Sequence, residues 1–540
     1  MDLDAYRRQA ERFLAEIGEA YYDHYAGLRE EFEVDAIYAR HSSLFSFDAV
    51  GRLRELGAAA GARGGGGGGD CGAGGGRAAG GGWGAGGGWG AGGGWGAGGG
   101  WGAGGAVDEA RRLRMLLDFA VEGCIGLATA HEAEELALRE SGLRLDVGGQ
   151  ALGFRESAVA QSNEPERARR AEIEAARLEL TAVELNPLHG AVLERTHELA
   201  RELGWESYRA MCAELKGFDL DRLAREADGF LRATDDAYAA VLDGPLRATV
   251  GVGLDELTRA DLPWFFRAPE QDGAFPAPRL LDALRTTLAG MGLDARAGGR
   301  VLLDVEPRPR KSPRAFCVAV RTPQDVRLVV APVGGRDDYV ALLHESGHAQ
   351  HFAHVDPALA FEYRHLGDNA VTEAFAFLFD RLTENPVWLR DRLGVDDPDG
   401  ALAAHARASR LLYLRRYCAK LAYELVVHVS GEARAGLADL YASELSRATG
   451  VAWPRESHLA DMDDGFYVAA YLRAWTLETH LRRWLVQRFG PAWFASPAAG
   501  AALRQLWAEG QRLSGEELLR ELTGEQLDLG VLVADLRLAG

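Results

Sequence analysis

Helical periodicity dominates this chain and limits the folds that are open to it. Segments such as ARRLRMLLDFAVEGCIGLATAHEAEELALRE and AREADGFLRATDDAYAAVLDGPL place Leu, Ala and Phe on one face and charges on the other. One region departs from this pattern, since Val301–Val305, Phe316–Val320 and Val326–Val330 are β-branched runs separated by turns that contain proline. The sequence therefore predicts a mainly α fold with one small β-sheet.

A low-complexity segment interrupts the helical pattern near the amino terminus. Between Gly61 and Ala106 the unit GGGWGA recurs and places Trp83, Trp89, Trp95 and Trp101 at a regular spacing. Glycine loses much backbone entropy on ordering and has no side chain to pack, so we predict a flexible Gly/Trp-rich insertion. The alternative is that the four tryptophans form a surface for a partner.

Charge and cysteine content restrict the partners and the compartment. The chain has 60 Lys and Arg against 80 Asp and Glu, a net charge of -20, which disfavours nucleic acid and favours small peptides or metabolites. No apolar run suits a membrane span or a secretory signal. The cysteines are odd in number and scattered, which argues against a disulfide framework: Cys71, Cys124, Cys212, Cys317 and Cys418. We predict a soluble, cytoplasmic protein without a nucleic-acid or membrane partner.

The motif H-E-x-x-H at His344, Glu345 and His348 carries the chemistry. On a helix this spacing puts both imidazoles on one face, where they can bind a single Zn²⁺. A catalytic zinc takes three protein ligands and keeps one position open, and Glu373 in VTEAFAFLFDRL is the candidate for the third. An unpaired carboxylate in so apolar a stretch would be costly without a metal. A chance match on a solvated helix is the alternative for a motif this short.

Neighbouring residues favour a metal site. The turn at Gly334–Gly335 precedes Asp337 or Asp338 as the predicted N-cap of the motif helix, and the small Gly347 permits close packing of another helix.

Three further side chains near the motif could support the metal site or have no part in it. Asp380 lies two helical turns after Glu373 and could orient a ligand histidine through its ring N–H, or be an ordinary surface acid. We place His351 and His354 on the helix surface or in support of the ligands.

The two motifs together resemble a known group of enzymes. HESGHAQHF followed by VTEAF is similar to the thimet oligopeptidase and oligoendopeptidase F metallopeptidases, gluzincins whose pattern is HExGHxxH with a later glutamate. The similarity spans Val301 to Leu485. It implies a large helical ellipsoid, a neurolysin-like zincin, in which a deep channel with zinc at its floor admits short unfolded peptides.

The resemblance also assigns residues in the carboxyl-terminal region. GFYVAAYLRAW resembles the segment whose tyrosines donate hydrogen bonds to the oxyanion, so Tyr467 and Tyr471 are the implied donors and His458 an implied upstream partner. Ala469 departs from the family, which usually has another tyrosine there.

The resemblance also implies that an edge strand of the sheet pairs with the substrate, and either Phe316–Val320 or Val326–Val330 could serve. On the same basis we divide the chain into four regions. The regions are an amino-terminal helical region (1–60), the Gly/Trp-rich insertion (61–106), a helical region forming one wall of the channel (107–300) and a catalytic region (301–540) that carries the sheet, both metal-binding helices and the tyrosines.

The expected function is zinc-dependent hydrolysis of short peptides at internal bonds, with one Zn²⁺ per chain and Glu345 as the base. A dipeptidyl carboxypeptidase or metallocarboxypeptidase of the same helical type is the nearest alternative, in which Arg473 or the basic stretch Lys311–Arg314 would hold the terminal carboxylate of the substrate. The alternative from another class is a non-catalytic binding protein that uses the tryptophan repeat.

Overall fold

The computed structural model describes residues 1–64, 105–429 and 436–538. The predicted flexible insertion falls almost entirely on residues 65–104, outside the described residues, as do its four tryptophans and Cys71. Its predicted bounds at Gly61 and Ala106 are too wide, because one helix runs to Gly64 and the next begins at Gly105.

Helices make up 72% of the structure and strands 5%, which confirms the mainly α prediction. The amino-terminal helices are α1 (Leu3–Tyr25), α2 (Val34–Arg40), α3 (Phe47–Gly64), α4 (Gly105–Ala128), α5 (Ala130–Gly142), α6 (Phe154–Ser162), α7 (Arg167–Leu180), α8 (Asn186–Glu202), α9 (Tyr208–Lys216), α10 (Leu220–Thr249), α11 (Leu262–Arg267) and α12 (Leu280–Gly290). The carboxyl-terminal helices are α13 (Arg336–His354), α14 (Phe361–His365), α15 (Asn369–Asp380), α16 (Pro386–Trp388), α17 (Ala401–Val427), α18 (Leu437–Thr449), α19 (Tyr467–Phe489), α20 (Pro497–Ala508), α21 (Gly515–Thr523) and α22 (Gly530–Leu538).

A two-stranded hairpin, absent from the sequence prediction, lies between α5 and α6. Strands β1 (Arg144–Val147) and β2 (Gln150–Gly153) pair antiparallel. The turn between them consists of Gly148 and Gly149, both with positive φ, as a tight two-residue hairpin requires.

The predicted three-stranded sheet is present, with β3 (Val301–Asp304), β4 (Phe316–Arg321) and β5 (Asp325–Val329) in the order β3-β5-β4. Strand β5 runs parallel to β3 and antiparallel to β4. Because β5 is the central strand, the expectation that Val326–Val330 could be a substrate-pairing edge is wrong. Strand β4 is an edge, so Phe316–Val320 keeps that role open.

Two hydrophobic cores meet along α19. The first joins the amino-terminal helices to α17, α18 and the beginning of α19, as far as Leu472. The second surrounds the sheet with α12, α13, α15, α20 and the part of α19 from Ala474 onward. Tyr467 and Tyr471 therefore lie at the end of α19 that belongs to the first core, facing the elements of the second.

Helices α3 and α4, which flank the undescribed segment 65–104, pack directly against each other. A methyl group built on Gly57 of α3 would lie 4.0 Å from Cβ of Leu113 in α4. Both residues are about two helical turns from the helix ends that face the segment, so the two helices run antiparallel with those ends adjacent.

Within the described residues, no helix is long and apolar enough to cross a bilayer. Cys124, Cys212, Cys317 and Cys418 are free thiols.

A buried ion pair joins α7 to the segment before α11. The carboxylate of Asp261 accepts hydrogen bonds from Arg167 and Arg170, each at 2.8 Å, and Arg170 is buried. Burial raises the pKa of Asp261, but hydrogen bonds from both arginines and from Thr258 lower it to about 2.

We expect Asp261→Asn to reduce the free energy of unfolding by about 3 kcal/mol at pH 7, because buried Arg170 loses its counter-charge. The carboxylate has a pKa of about 4 in the unfolded chain, so its stabilisation is present above that pH and is lost as the pH falls towards about 2. Urea unfolding of the wild type and of Asp261→Asn between pH 7 and pH 3 measures the difference in their free energies of unfolding. The difference should shrink on acidification, and a constant difference would contradict the assignment. Asp243→Asn, which removes an exposed pair with Arg247, is the control.

Candidate metal centre

The motif helix α13 begins without a side-chain cap. Its N-cap residue is Gly335, whose φ of 90° suits glycine, so the predicted cap at Asp337 or Asp338 is wrong. The Asp338 carboxylate instead accepts the backbone N–H groups of Val333 and Gly334, each at 2.6 Å. This fixes the preceding loop to the first turn of α13.

Close packing of α13 on α15 at Gly347 brings the motif to Glu373. A methyl group at Gly347 would lie 2.6 Å from Cα of Ala376 and 2.6 Å from the carbonyl oxygen of Phe375. Both atoms belong to backbone and cannot turn aside, so the predicted role of a small residue here is confirmed.

Three potential ligands converge where these helices meet. One donor atom from each of His344, His348 and Glu373 lies within 4.8 Å of the other two, and the three side chains could hold a metal ion. Nε2 of His344 is 3.3 Å from Oε2 of Glu373, and Nε2 of His348 is 3.7 Å from Oε1. Within the described ranges, no other group of three such residues has this arrangement.

The buried Glu373 carboxylate, 5% exposed, lacks a full set of hydrogen bonds. Its Oε2 has no hydrogen-bond partner among the described residues, although His344 is close. Burial raises the pKa of Glu373, but the two imidazoles and a tyrosine lower it to about 2, so the group is a carboxylate. Its negative charge therefore faces both Nε2 atoms.

Each histidine is oriented through its other ring nitrogen. Nδ1 of His344 lies 3.0 Å from Oδ2 of Asp380, and Nδ1 of His348 lies 2.9 Å from Oγ1 of Thr372. The proposed contact between Asp380 and a motif histidine is thus present, whereas Thr372 was not anticipated. Because both partners occupy Nδ1, both Nε2 atoms are directed towards Glu373.

Glu345 lies beside this group and faces strand β4. Burial raises the pKa of Glu345 to about 7, and the nearby Glu373 adds to this, although His344 and the backbone of Cys317 lower it. A carboxylate with this pKa can exchange a proton near neutrality.

The two tyrosines of α19 have different surroundings. The Tyr467 hydroxyl donates a hydrogen bond of 2.5 Å to Oε1 of Glu373. The Tyr471 ring packs against Phe377 and Tyr417. Burial raises the pKa of Tyr471, and the nearby carboxylate of Glu373 raises it further. In the part of the chain that the structure describes, the Tyr471 hydroxyl makes no hydrogen bond.

The remaining histidines lie apart from the three ligands. Nδ1 of His458 is 2.9 Å from the carbonyl oxygen of Arg455, and among the described residues it has no contact with the candidate ligands. His351 is fully buried, with Nε2 3.2 Å from the carbonyl oxygen of Gly510, so a position on the helix surface is wrong for it. His354 is 2.7 Å from the carbonyl oxygen of Gln350 and supports none of the ligands.

The candidate ligands keep some contact with solvent, since the side chains of His344 and His348 are 17% and 12% exposed. Helix α17 lies near them: the ring centroid of Tyr417 is 5.6 Å from that of Tyr471, and Tyr413, one turn earlier in α17, is 38% exposed.

No protein-family model and no curated protein matches this chain. The resemblance to the oligopeptidases therefore stays a prediction from the two motifs.

We expect Gly347→Ala to destabilise the protein by about 1–3 kcal/mol, because the added methyl group forces α13 away from α15. Gly229 lies in α10 with no atom within 4 Å of a built methyl group, so Gly229→Ala should stabilise by about 0.5–1 kcal/mol through helix propensity. Thermal and urea unfolding of both variants give these signs. A Gly347→Ala protein as stable as the wild type would show that the two helices are not in tight contact.

Proposed function

We propose that the protein is a zinc metallopeptidase that hydrolyses internal bonds of short, unfolded peptides. The ligands are His344, His348 and Glu373, and Glu345 is the general base. The observation that supports this most directly is the convergence of two oriented Nε2 atoms on a buried carboxylate whose Oε2 has no hydrogen bond. The resemblance of HESGHAQHF and VTEAF to the oligopeptidases points the same way.

The donor set suits zinc in number, type and spacing. Zinc sites that act on substrates combine imidazole and carboxylate ligands at about 2.0–2.2 Å from the metal, and two ligands of a tetrahedral centre are then about 3.3–3.6 Å apart. The separations from Glu373 to His344 and His348, 3.3 and 3.7 Å, agree with this. Three ligands leave a fourth position for water or substrate.

The chain's own groups then supply the proton transfers. When bound, zinc would polarise the scissile carbonyl and lower the pKa of a coordinated water towards 7. A carboxylate oxygen of Glu345 accepts the proton that the attacking water loses, and its pKa near 7 suits both this step and the next. Glu345 then donates this proton to the nitrogen of the leaving amine.

The two tyrosines take separate roles in this proposal. Tyr467 positions Glu373, because its hydroxyl already donates to Oε1 of that residue. The Tyr471 hydroxyl has no such partner among the described residues, and its raised pKa keeps it protonated. Tyr471 is therefore the donor for the negative charge that develops on the carbonyl oxygen.

Strand β4 offers a place for the peptide backbone. One edge of β4 pairs with β5, and the backbone of the strand at Cys317 lies near Glu345. An extended peptide that pairs with this edge would carry its scissile bond past the general base.

Two of the cations proposed to bind the substrate's terminal carboxylate in the carboxypeptidase alternative are not available for that role. Arg473 is buried and bonded to Asp368 and Glu516, and Lys311 is buried and bonded to Asp304. Neither can bind a substrate carboxylate without breaking a buried pair. Arg314 is exposed, and within the described ranges no acidic group lies within 4 Å of it, so it is the cation that the alternative would require.

We expect Asp380→Ala to weaken Zn²⁺ affinity by about 10- to 100-fold, because His344 loses the partner that orients its ring. Replacing His344, His348 or Glu373 should abolish tight binding. Competition with a chromophoric chelator gives the affinities. His354→Ala, on the same helix, should bind as the wild type does, and equal affinity of all these proteins would rule out the site.

We expect Glu345→Gln to retain zinc and lose at least about 1,000-fold in kcat, because no other described group is placed to take the proton. The assay follows cleavage of defined peptides of graded length by mass spectrometry, with and without chelator. Internal cuts that disappear with chelator support the oligoendopeptidase. Cuts confined to the carboxyl end, and lost in Arg314→Ala, would establish the carboxypeptidase instead.

A further inference from the structure

An exposed aromatic cluster lies at the end of α1. It consists of Tyr21, Tyr25 and Phe32, whose ring centroids are 5.1, 5.1 and 5.8 Å apart, with His24 stacked on Phe32 at 4.8 Å. The exposed fractions of Tyr21, Tyr25 and Phe32 are 44%, 38% and 38%. Leu28, 48% exposed, lies in the loop between them. Apolar groups this exposed and this close together are typical of binding surfaces.

The cluster is continuous with strand β4. The Tyr25 ring is 6.1 Å from the ring of Phe316, the first residue of that strand. Phe316 packs on the α1 side of the sheet with Tyr22 and Ala26, whereas its neighbour Cys317 faces Glu345. Because successive side chains of a strand point to opposite faces, the cluster meets β4 one residue from Cys317 but on the other face of the sheet from Glu345.

Contacts with the segment between β3 and β4 fix the end of α1. The backbone N–H of Ser312 donates to the Tyr25 carbonyl oxygen at 2.7 Å, and Arg308 donates to that of Ala26. Gly27 has a φ of 73°, and a methyl group there would lie 2.7 Å from the backbone nitrogen of Lys311. A preformed surface of this kind binds a side chain without the cost of being ordered first.

We propose that the cluster of Tyr21, Tyr25 and Phe32 is a specificity pocket that binds one bulky apolar side chain of a peptide extended along the free edge of β4. This inference rests on the proposed peptidase function. Alternate side chains of a peptide strand added at that edge point to the α1 side of the sheet, where Phe316 leads into the cluster. The substrates are accordingly peptides with an aromatic or large aliphatic residue at a fixed distance from the cleaved bond.

The test uses octapeptides of Ala, Ser and Lys in which a single Phe occupies each position in turn. With the full chain and Zn²⁺, the cut should move with Phe and stay at a constant spacing from it. A peptide with Phe should be cleaved with a kcat/KM about 10- to 100-fold above that of its Ala counterpart, the range for one large apolar side chain. In Phe32→Ser and Tyr25→Ser this preference should fall to about twofold or less. Phe47→Ser removes an equally exposed aromatic outside the cluster and should keep the preference.

Binding to Glu345→Gln separates the pocket from catalysis. A fluorescent Phe octapeptide should bind this protein about tenfold more weakly when Phe32→Ser is added, as read by anisotropy. If that loss occurs while no peptide is cleaved, the pocket stands and the peptidase proposal fails. If Phe32→Ser and Tyr25→Ser keep the preference and the affinity, the pocket is overturned. A wild-type dimer in sedimentation that Phe32→Ser dissociates would assign the cluster to a second copy of the chain and overturn it as well.

Discussion

The contact between α13 and α15 at Gly347 sets the position of every group in the candidate centre. Because no side-chain atom fits between the helices at this point, α15 comes close enough for Glu373 to face both motif histidines. The same helix also supplies Thr372 and Asp380, which hold the two Nδ1 atoms. One helix thus provides one candidate ligand and the hydrogen-bond partners of the other two, so a shift of α15 would disturb all three together.

The first hydrophobic core determines the position of Tyr467 at the beginning of α19. Just before Tyr467, the backbone N–H of Gly465 donates to the Tyr208 hydroxyl at 2.9 Å, and Lys420 of α17 pairs with Asp463 at 2.7 Å. Phe466, which follows both residues and precedes Tyr467, is buried and has a φ of 55°, an unfavourable conformation that the packing around it maintains. The hydroxyl that reaches Glu373 is therefore placed by elements distant in sequence from the candidate ligands.

The parts of the structure that depend on local pattern were predictable. The helices, the three strands of the sheet and the spacing of His344 and His348 follow from periodicities within a few residues of chain. The order of the strands, which makes Val326–Val330 central, and the burial of His351 under α20 depend on partners far along the chain. Thr372 carried no signal, because a threonine in a helix is ordinary until the ring it contacts is known. The proximity of Tyr25 to Phe316 was likewise not predictable, because it joins α1 to a strand about 290 residues further along the chain.

The antiparallel packing of α3 on α4 has a consequence for how this chain can vary. The ends of the two helices at Gly64 and Gly105 are adjacent, so the connection between them needs only to span a short gap. Each doubling of a connecting loop costs about 0.6 kcal/mol, little beside the packing of two helices. The number of residues in this connection can therefore change with little effect on the stability of the fold. If the chain were cut there, the packing of α3 against α4 would allow the two fragments to reassemble.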